Sequence, residues 1–284
     1  MAYSHDYAVA LLLTLLTAYV IAETNNTQQI IRVRSRAVAS VWLFGMACMG
    51  TLHPYQPVLL ATFCLSVSYF LLFRTYQQSQ PMVDTFHVFF MLALGSTFYP
   101  RLLWLAPFMF WYLAIYMRAL TFRSFFAALV GLVVPFWFWV PWQLWRADLT
   151  PIRTWYAGLT TIHAEGVGAL LSPTPPVLAF YLLVFFTLWM TVYYLLHSYD
   201  DKIRTRMILY VYVCQSVLFV AYGVLIDVSA ALPLLLLSVS PLVGHYFTLR
   251  STWIGLCLFF LSLLAFLALI VLTSVDDAYA ALIG

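Results

Sequence analysis

Residues 84–145 hold three long apolar runs in succession, and this stretch constrains the fold more than any other. The runs cover residues 87–100, 102–117 and 125–145. Charged residues or prolines bound each run, and Arg101 stands alone between the first two. A soluble domain does not carry so much unbroken apolar surface. The stretch therefore predicts a helical hairpin with Arg101 at its turn, followed by a membrane-spanning helix.

The composition extends this prediction to the whole chain, which is 64% hydrophobic and only 8% charged. Soluble proteins are about 25% charged. The apolar runs are continuous, whereas the strands of a membrane barrel alternate apolar and polar residues. We predict an all-α polytopic membrane helix bundle of about ten transmembrane segments, forming a single transmembrane domain over 1–284. The predicted segments are 7–22, 38–52, 57–73, 85–100, 102–117, 125–145, 177–197, 207–226, 230–248 and 252–274.

The first five segments are short for a membrane crossing. Each has 15–17 residues, or about 23–26 Å of helix at 1.5 Å per residue. A hydrocarbon core is about 30 Å thick. We expect these helices to stand nearly upright, to thin the bilayer or to cross incompletely. The pair within 85–117 is accordingly predicted as a short or re-entrant hairpin.

The basic residues predict the orientation of the bundle. Residues 1–22 lack the basic start and cleavage site of a signal peptide, so we expect a retained first helix. With both termini outward, three basic residues face outward: Arg101, Arg146 and Arg153. The other ten face inward, as the positive-inside rule requires: Arg32, Arg34, Arg36, Arg74, Arg118, Arg123, Lys202, Arg204, Arg206 and Arg250.

The longest connection, 146–176, lies on the predicted outward side. Its middle part, from Pro151 to Leu171, has too many glycines and polar residues to span a membrane. It has enough Trp, Tyr and Leu to lie along the membrane interface. We predict an outward interfacial loop that contains a short helix or a lid.

Several short motifs resemble a multi-pass inner-membrane protein family of Bacteroidota over about residues 80–270. The motifs are Asp84-Thr85-Phe86, the block at 93–100, Gly131-Leu132-Val133-Val134-Pro135, Lys202-Ile203-Arg204-Thr205-Arg206 and the block at 240–247. Asp84 stands where the family more usually has Asn. The family has no established activity, so the resemblance implies no catalytic residue. It implies the cytoplasmic (inner) membrane of a bacterium with a complex envelope.

A cluster of polar residues on the predicted outward side is the first candidate site. Its members are Arg101, Arg146, Arg153, His53, His163 and Glu165. The planar fork of an arginine suits phosphate or carboxylate groups, which lipid-linked sugars and polyprenyl phosphates present at a membrane surface. Arg101 is the strongest indication because ionisable groups at a membrane edge are costly. The alternative is that these arginines only anchor helix ends at the headgroups.

A second candidate is the polar content of the segment 230–248 and its entry. Asp227, Pro241 and His245 are its main members. Prolines interrupt backbone hydrogen bonding, and broken helices line substrate paths in transporters. The alternative is that Asp227 belongs to a turn, and that the proline and histidine are ordinary features of a membrane helix.

Other classes of site find little support in the sequence. The net charge of +3 follows from membrane orientation, so no nucleic-acid partner is expected. The His163–Glu165 spacing and the four separated cysteines favour no metal site. The absence of a Gly-rich phosphate loop argues against an ATPase, and we expect no cofactor.

Three functional hypotheses remain open, and they leave undecided whether the protein is an enzyme. The first is the handling of an anionic amphiphile at the outer leaflet, by transfer, polymerisation or flipping. The second is a non-catalytic subunit of an envelope assembly or secretion complex, with protein partners. The third is a small-solute transporter gated by residues 230–248. Membrane lipids are partners in all three.

Overall fold

The computed structural model is helical throughout the residues it describes, and no strand occurs among them. This confirms the all-α prediction for that part of the chain. The described residues are 2–31, 36–49, 54–161, 168, 170–171, 174–197, 202–249, 253, 257, 259–265 and 267–271.

The helices follow one another with short connections. In chain order they are α1 (Ala2–Gln28), α2 (Ala37–Cys48), α3 (Pro57–Arg74), α4 (Met82–Phe98), a 3₁₀ helix (Pro100–Leu105), α5 (Ala106–Ile115), α6 (Phe122–Trp145), α7 (Thr150–Thr160), α8 (Pro175–His197), α9 (Ile203–Leu225), α10 (Val228–Leu249) and α11 (Phe259–Val271).

Six of these helices are long and apolar enough to cross a membrane: α1, α3, α6, α8, α9 and α10. Four shorter apolar helices accompany them, formed by α2, α4, α11 and the 3₁₀ helix together with α5. Each of the ten predicted segments thus corresponds to an apolar helix. These lengths and compositions support a multi-pass membrane protein, whereas the number of crossings and the side of the termini stay predictions.

Two of the first five helices exceed the predicted length of 15–17 residues. The first has 27 residues and ends at Gln28 instead of Ala22, and α3 has 18 residues. Helix α1 continues because the polar residues Thr24, Asn25 and Gln28 are buried. Gln28 accepts a hydrogen bond from the Arg204 guanidinium through its side-chain oxygen. Polar side chains can extend a membrane helix when a neighbouring helix supplies their partners.

The chain divides into two compact units, Pro57–Ile162 and the combination of Met1–Gln56 with His163–Gly284. In the second of these, α10 is almost wholly buried and packs against α2, α8 and α9. Helices α2 and α10 approach closely at Gly244, where a Cβ atom would lie 2.9 Å from the Cα of Val38. Small residues commonly permit such contacts between membrane helices.

In the unit Pro57–Ile162, α4 packs against α3 and α6. The hydroxyl of Ser68 on α3 donates a hydrogen bond to the carbonyl oxygen of Val88 on α4 at 3.0 Å. Helix α6 approaches α4 at Gly131, where a Cβ atom would collide with the carbonyl oxygen of Phe86. The backbones of α4 and α6 are therefore in direct contact.

The predicted hairpin within 85–117 is formed by α4, the 3₁₀ helix and α5. The backbone N–H of Gln77, before α4, donates to the carbonyl oxygen of Met117, after α5, at 2.9 Å. The hairpin therefore returns to the end at which it starts. A Cβ atom at Gly95 would lie 3.0 Å from the Cβ of Cys64, so α4 reaches about as far along the unit as α3. Whether the hairpin crosses a membrane fully stays a prediction.

Candidate functional site

The unit Pro57–Ile162 carries its basic residues at two opposite ends. Arg74, Arg118 and Arg123 lie at the end where Gln77 meets Met117. Arg101, Arg146 and Arg153 lie at the other end, which is formed by the 3₁₀ helix, the C-terminus of α6 and helix α7. The second end is called the α7 end below. The three arginines predicted to face outward therefore share one end of this unit.

Trp155 joins helix α7 to the ends of α4 and α6. The indole Nε1–H of Trp155 donates a hydrogen bond to the carbonyl oxygen of Ser96 near the C-terminus of α4, at 2.7 Å. The indole ring packs at 5.1 Å from the ring of Phe136 and at 6.2 Å from that of Trp139, both on α6. Helix α7 thus covers the ends of α4 and α6. A short helix is therefore present within 146–176, while the outward, interfacial position of this connection stays a prediction.

The start of α7 is encoded locally. The Asp148 carboxylate accepts a hydrogen bond from the backbone N–H of Thr150 at 2.9 Å, and Pro151 occupies the first turn. Such residues favour a helix start. Hydrogen bonds from the hydroxyl and amide of Thr150, and to a smaller extent the charge of Arg146, hold the pKa of Asp148 below its ordinary 3.8. Asp148 is therefore a carboxylate at neutral pH.

Arg101 contacts the opposite end of α7. Its side chain is half-buried, and its terminal NH₂ group donates a hydrogen bond to the carbonyl oxygen of Thr161 at 3.3 Å. That carbonyl follows the last residue of α7, where helices leave acceptors without helical partners. A cation there also interacts favourably with the helix dipole. Arg101 is therefore a structural contact of α7 as well as a candidate anion ligand.

The other two arginines are exposed. The guanidinium of Arg146 lies 4.8 Å from the ring centre of Trp142, in a cation–π arrangement. Arg153 lies in the first turns of α7 with its side chain exposed. Because both side chains are exposed, both are accessible to a ligand.

A groove of about 430 Å³ lies between α7 and the helix ends beneath it. Its walls are formed by the end of α4, the start of the 3₁₀ helix, one turn of α6 and the first half of α7. The lining residues are Thr97, Phe98, Pro100, Trp139, Pro151, Thr154 and Trp155. Among the residues that the structure describes, no charged one lines it, yet Arg101 directly follows one lining residue and Arg153 directly precedes another. The groove is an apolar site with arginines beside it.

Three predicted members of this site lie outside the described residues. They are His53, His163 and Glu165. The structure therefore supports a smaller grouping than predicted, consisting of Arg101, Arg146 and Arg153 at the α7 end. Among the described residues, no three His, Cys, Asp or Glu side chains cluster as metal ligands would.

The second predicted set does not form one site. Asp227 directly precedes α10, and His245 lies within that helix 18 residues later, or about 27 Å along a helix. The Asp227 carboxylate accepts hydrogen bonds from the N–H groups of Ser229 at 2.9 Å and Ala230 at 3.2 Å. Asp227 is therefore an N-cap of α10, in agreement with the alternative that places it in a turn.

Pro241 leaves the carbonyl oxygen of Leu237 without its usual helical donor, because proline has no N–H. The hydroxyl of Ser240 donates to that oxygen at 3.4 Å. Both residues lie in α10, which stays helical across the proline. The proline is therefore accommodated inside the helix and does not break it.

His245 is buried and bonded to a tyrosine that the sequence did not single out for a site. The hydroxyl of Tyr194 on α8 lies 2.9 Å from His245 Nδ1 and 2.9 Å from the carbonyl oxygen of Leu242. The hydroxyl has one proton, and the carbonyl can only accept. The proton therefore goes to Leu242, and His245 Nδ1–H donates to Tyr194. In sequence, Tyr194 showed only as one of many aromatic residues.

Comparison of the chain with protein-family models, with curated proteins and with solved structures gives no match. The resemblance to a Bacteroidota family stays a prediction.

Proposed function

We propose that the chain is a multi-pass protein of a bacterial inner membrane that binds an anionic amphiphile at the outer leaflet. A polyprenyl phosphate or a lipid-linked sugar is the expected class of ligand. The proposal includes the ten-segment topology with both termini outward, and the kinship with the Bacteroidota family that the motifs resemble.

The observation that carries the proposal is the position of Arg101 beside the apolar groove. An amphiphile needs an apolar surface for its chain and a cation for its headgroup. Pro100 lines the groove, and the next residue supplies a guanidinium. Arginine binds phosphate oxygens through two parallel hydrogen bonds.

The surrounding residues support the same ligand class. Helix α6 ends in a tryptophan-rich segment with Trp137, Trp139, Trp142 and Trp145. Tryptophans are enriched where the hydrocarbon of a membrane meets the headgroups. Trp139 lines the groove, which supports a position at the depth at which an amphiphile changes from chain to headgroup.

The local charge also favours an anion. The α7 end carries Arg101, Arg146 and Arg153, while Asp148 is the only acidic residue between positions 85 and 162. At the α7 end, these three arginines against Asp148 leave a net charge of +2. A cationic surface beside apolar walls attracts anionic lipids in preference to neutral ones.

The test is ligand retention by the full chain in mild detergent, measured by native mass spectrometry with added polyprenyl phosphate. We expect wild type to retain the lipid. Arg101→Gln and Arg153→Gln should each lower the affinity for it about tenfold, seen as a smaller retained fraction at a given lipid concentration. Hydrogen bonds to charged groups contribute about 1.5–3 kcal/mol. Arg123→Gln, at the opposite end of the same unit, is the matched control. Wild-type retention in both glutamine variants would contradict the proposal.

A further inference from the structure

The walls of the groove reveal which part of an amphiphile it accepts. The hydroxyl of Thr97 donates to the carbonyl oxygen of Leu94 at 2.7 Å, and that of Thr154 donates to Pro151 at 3.0 Å. The indole N–H of Trp155 is bonded to Ser96. These three donors of the lining are therefore engaged by backbone carbonyls. A phosphate in the groove would lose its water without gaining these three donors as partners.

The rest of the lining is aromatic or proline. Phe98, Pro100, Trp139 and Pro151 present rings to the groove, and such side chains have few rotatable bonds. The volume of about 430 Å³ falls within the range of small-ligand sites, which is about 300–1,000 Å³. The groove is therefore lined mainly by apolar rings and has room for a hydrocarbon chain.

We propose that the groove holds the isoprenoid chain of a single-chain polyprenyl phosphate, with its phosphate on Arg101 outside the groove. This inference rests on the proposed function and specifies the substrate class. A groove of this volume matches one hydrocarbon chain, whereas a phospholipid has two acyl chains to place. The charge of Arg101 selects the phosphate over the uncharged alcohol, and the apolar walls hold the chain in both compounds.

The isoprenoid chain is longer than the groove and also has to leave it toward the membrane. Phe98, which lines the groove, is 46% exposed, and α6 exposes the large apolar side chains of Trp137 and Phe138. Helix α6 is a candidate membrane span with most of its surface available to lipid. The part of a long isoprenoid chain that exceeds the groove therefore meets an apolar surface.

The experiment compares three probes: polyprenyl phosphate, the corresponding polyprenol and phosphatidic acid. Affinities are measured by native mass spectrometry on the full chain. Thr154→Trp fills the groove, and Thr160→Trp, on an exposed position of the same helix, is the matched control. We expect Thr154→Trp to weaken polyprenyl phosphate and polyprenol at least tenfold, and Thr160→Trp to change both less than twofold.

A second variant guards against misfolding of the first. Phe98→Ala removes an apolar wall without adding bulk, and we expect it to weaken both isoprenoid probes about fivefold. Arg101→Gln is expected to lower the affinity for polyprenyl phosphate to that for polyprenol.

The outcomes separate the two proposals. If Thr154→Trp and Phe98→Ala bind polyprenyl phosphate like wild type while Arg101→Gln does not, the groove assignment is overturned and the proposed function stands. If wild type binds polyprenol as tightly as polyprenyl phosphate, and Thr154→Trp weakens both, the anionic ligand is overturned and the groove assignment stands. Equal affinity for phosphatidic acid and polyprenyl phosphate overturns the single-chain assignment.

Discussion

The indole N–H of Trp155 donates a hydrogen bond of 2.7 Å to the carbonyl oxygen of Ser96, 59 residues earlier in the chain. This contact joins helix α7 to the end of α4. The same contact shapes the groove, because Trp155 lines it together with Thr97, the residue after Ser96. The stability of α7 and the shape of the groove therefore depend on the same side chain.

Trp155→Phe is expected to loosen α7 without unfolding the unit. The change removes the hydrogen bond to Ser96 and leaves that carbonyl oxygen with one fewer donor, at a cost of about 1–2 kcal/mol. Local opening should become about 5–30 times more frequent. Hydrogen–deuterium exchange of residues 150–160 measures this. Tyr156→Phe, at a side chain that is 63% exposed, is the control and should exchange like wild type.

Gly131→Ala should destabilise the unit Pro57–Ile162. The added methyl group would collide with the carbonyl oxygen of Phe86, so α4 and α6 would have to separate. Overpacking of this kind costs about 1–3 kcal/mol. Thermal unfolding in detergent, monitored by size-exclusion chromatography, should show a lower midpoint temperature for Gly131→Ala than for wild type. Gly168→Ala, where a Cβ atom meets nothing within 4 Å, should leave the midpoint unchanged. Equal midpoints for both variants would contradict the close packing.

Tyr194→Phe tests the buried contact between α8 and α10. The change removes the partner of His245 Nδ1 and one donor to Leu242. Hydrogen bonds between membrane helices contribute about 0.6 kcal/mol on average and at most about 1.7. We expect a loss of thermal stability in this range, compared with Tyr19→Phe at a position that is 68% exposed. In wild type, ¹⁵N NMR should find the His245 proton on Nδ1, and a proton on Nε2 alone would contradict the geometry.

The start of α7 should respond to acid through Asp148. Hydrogen bonds from Thr150, aided by Arg146, hold the pKa of this carboxyl below 3.8 in the folded chain. The contribution of the carboxylate is therefore complete above the unfolded pKa, at about pH 4, and is lost as the pH falls through the lower folded value. The amide signal of Thr150 in ¹⁵N NMR should shift below about pH 4 in wild type. Persistence of this transition in Asp148→Asn would contradict the assignment.

The ten apolar helices could be predicted from sequence because each is a continuous apolar run bounded by charge or proline. The full length of α1 could not. Thr24, Asn25 and Gln28 look like a polar connection, but they are buried, and Gln28 bonds with Arg204. That partner stands 176 residues away in the chain, so no local pattern indicates it.

The candidate site was predicted only in part, again because its contacts join residues that lie far apart in the chain. Arg101 is a single charge between two apolar runs, so its importance shows in the sequence. The groove is built from α4, the 3₁₀ helix, α6 and α7, and its position depends on how these pack. Trp155 looked like an interfacial residue in sequence. Its bond to Ser96 appears only when α7 is seated over α4.

The most direct test of the central claim is photoaffinity labelling of the full chain in lipid nanodiscs with a polyprenyl phosphate that carries a photoreactive group near the phosphate. The labelled peptides are then identified by mass spectrometry. We predict labels in 98–101 and 150–161, strongly reduced in Arg101→Gln and retained in Arg123→Gln. Labelling confined to other parts of the chain, or equal labelling in Arg101→Gln and wild type, would contradict the binding of an anionic amphiphile at the α7 end.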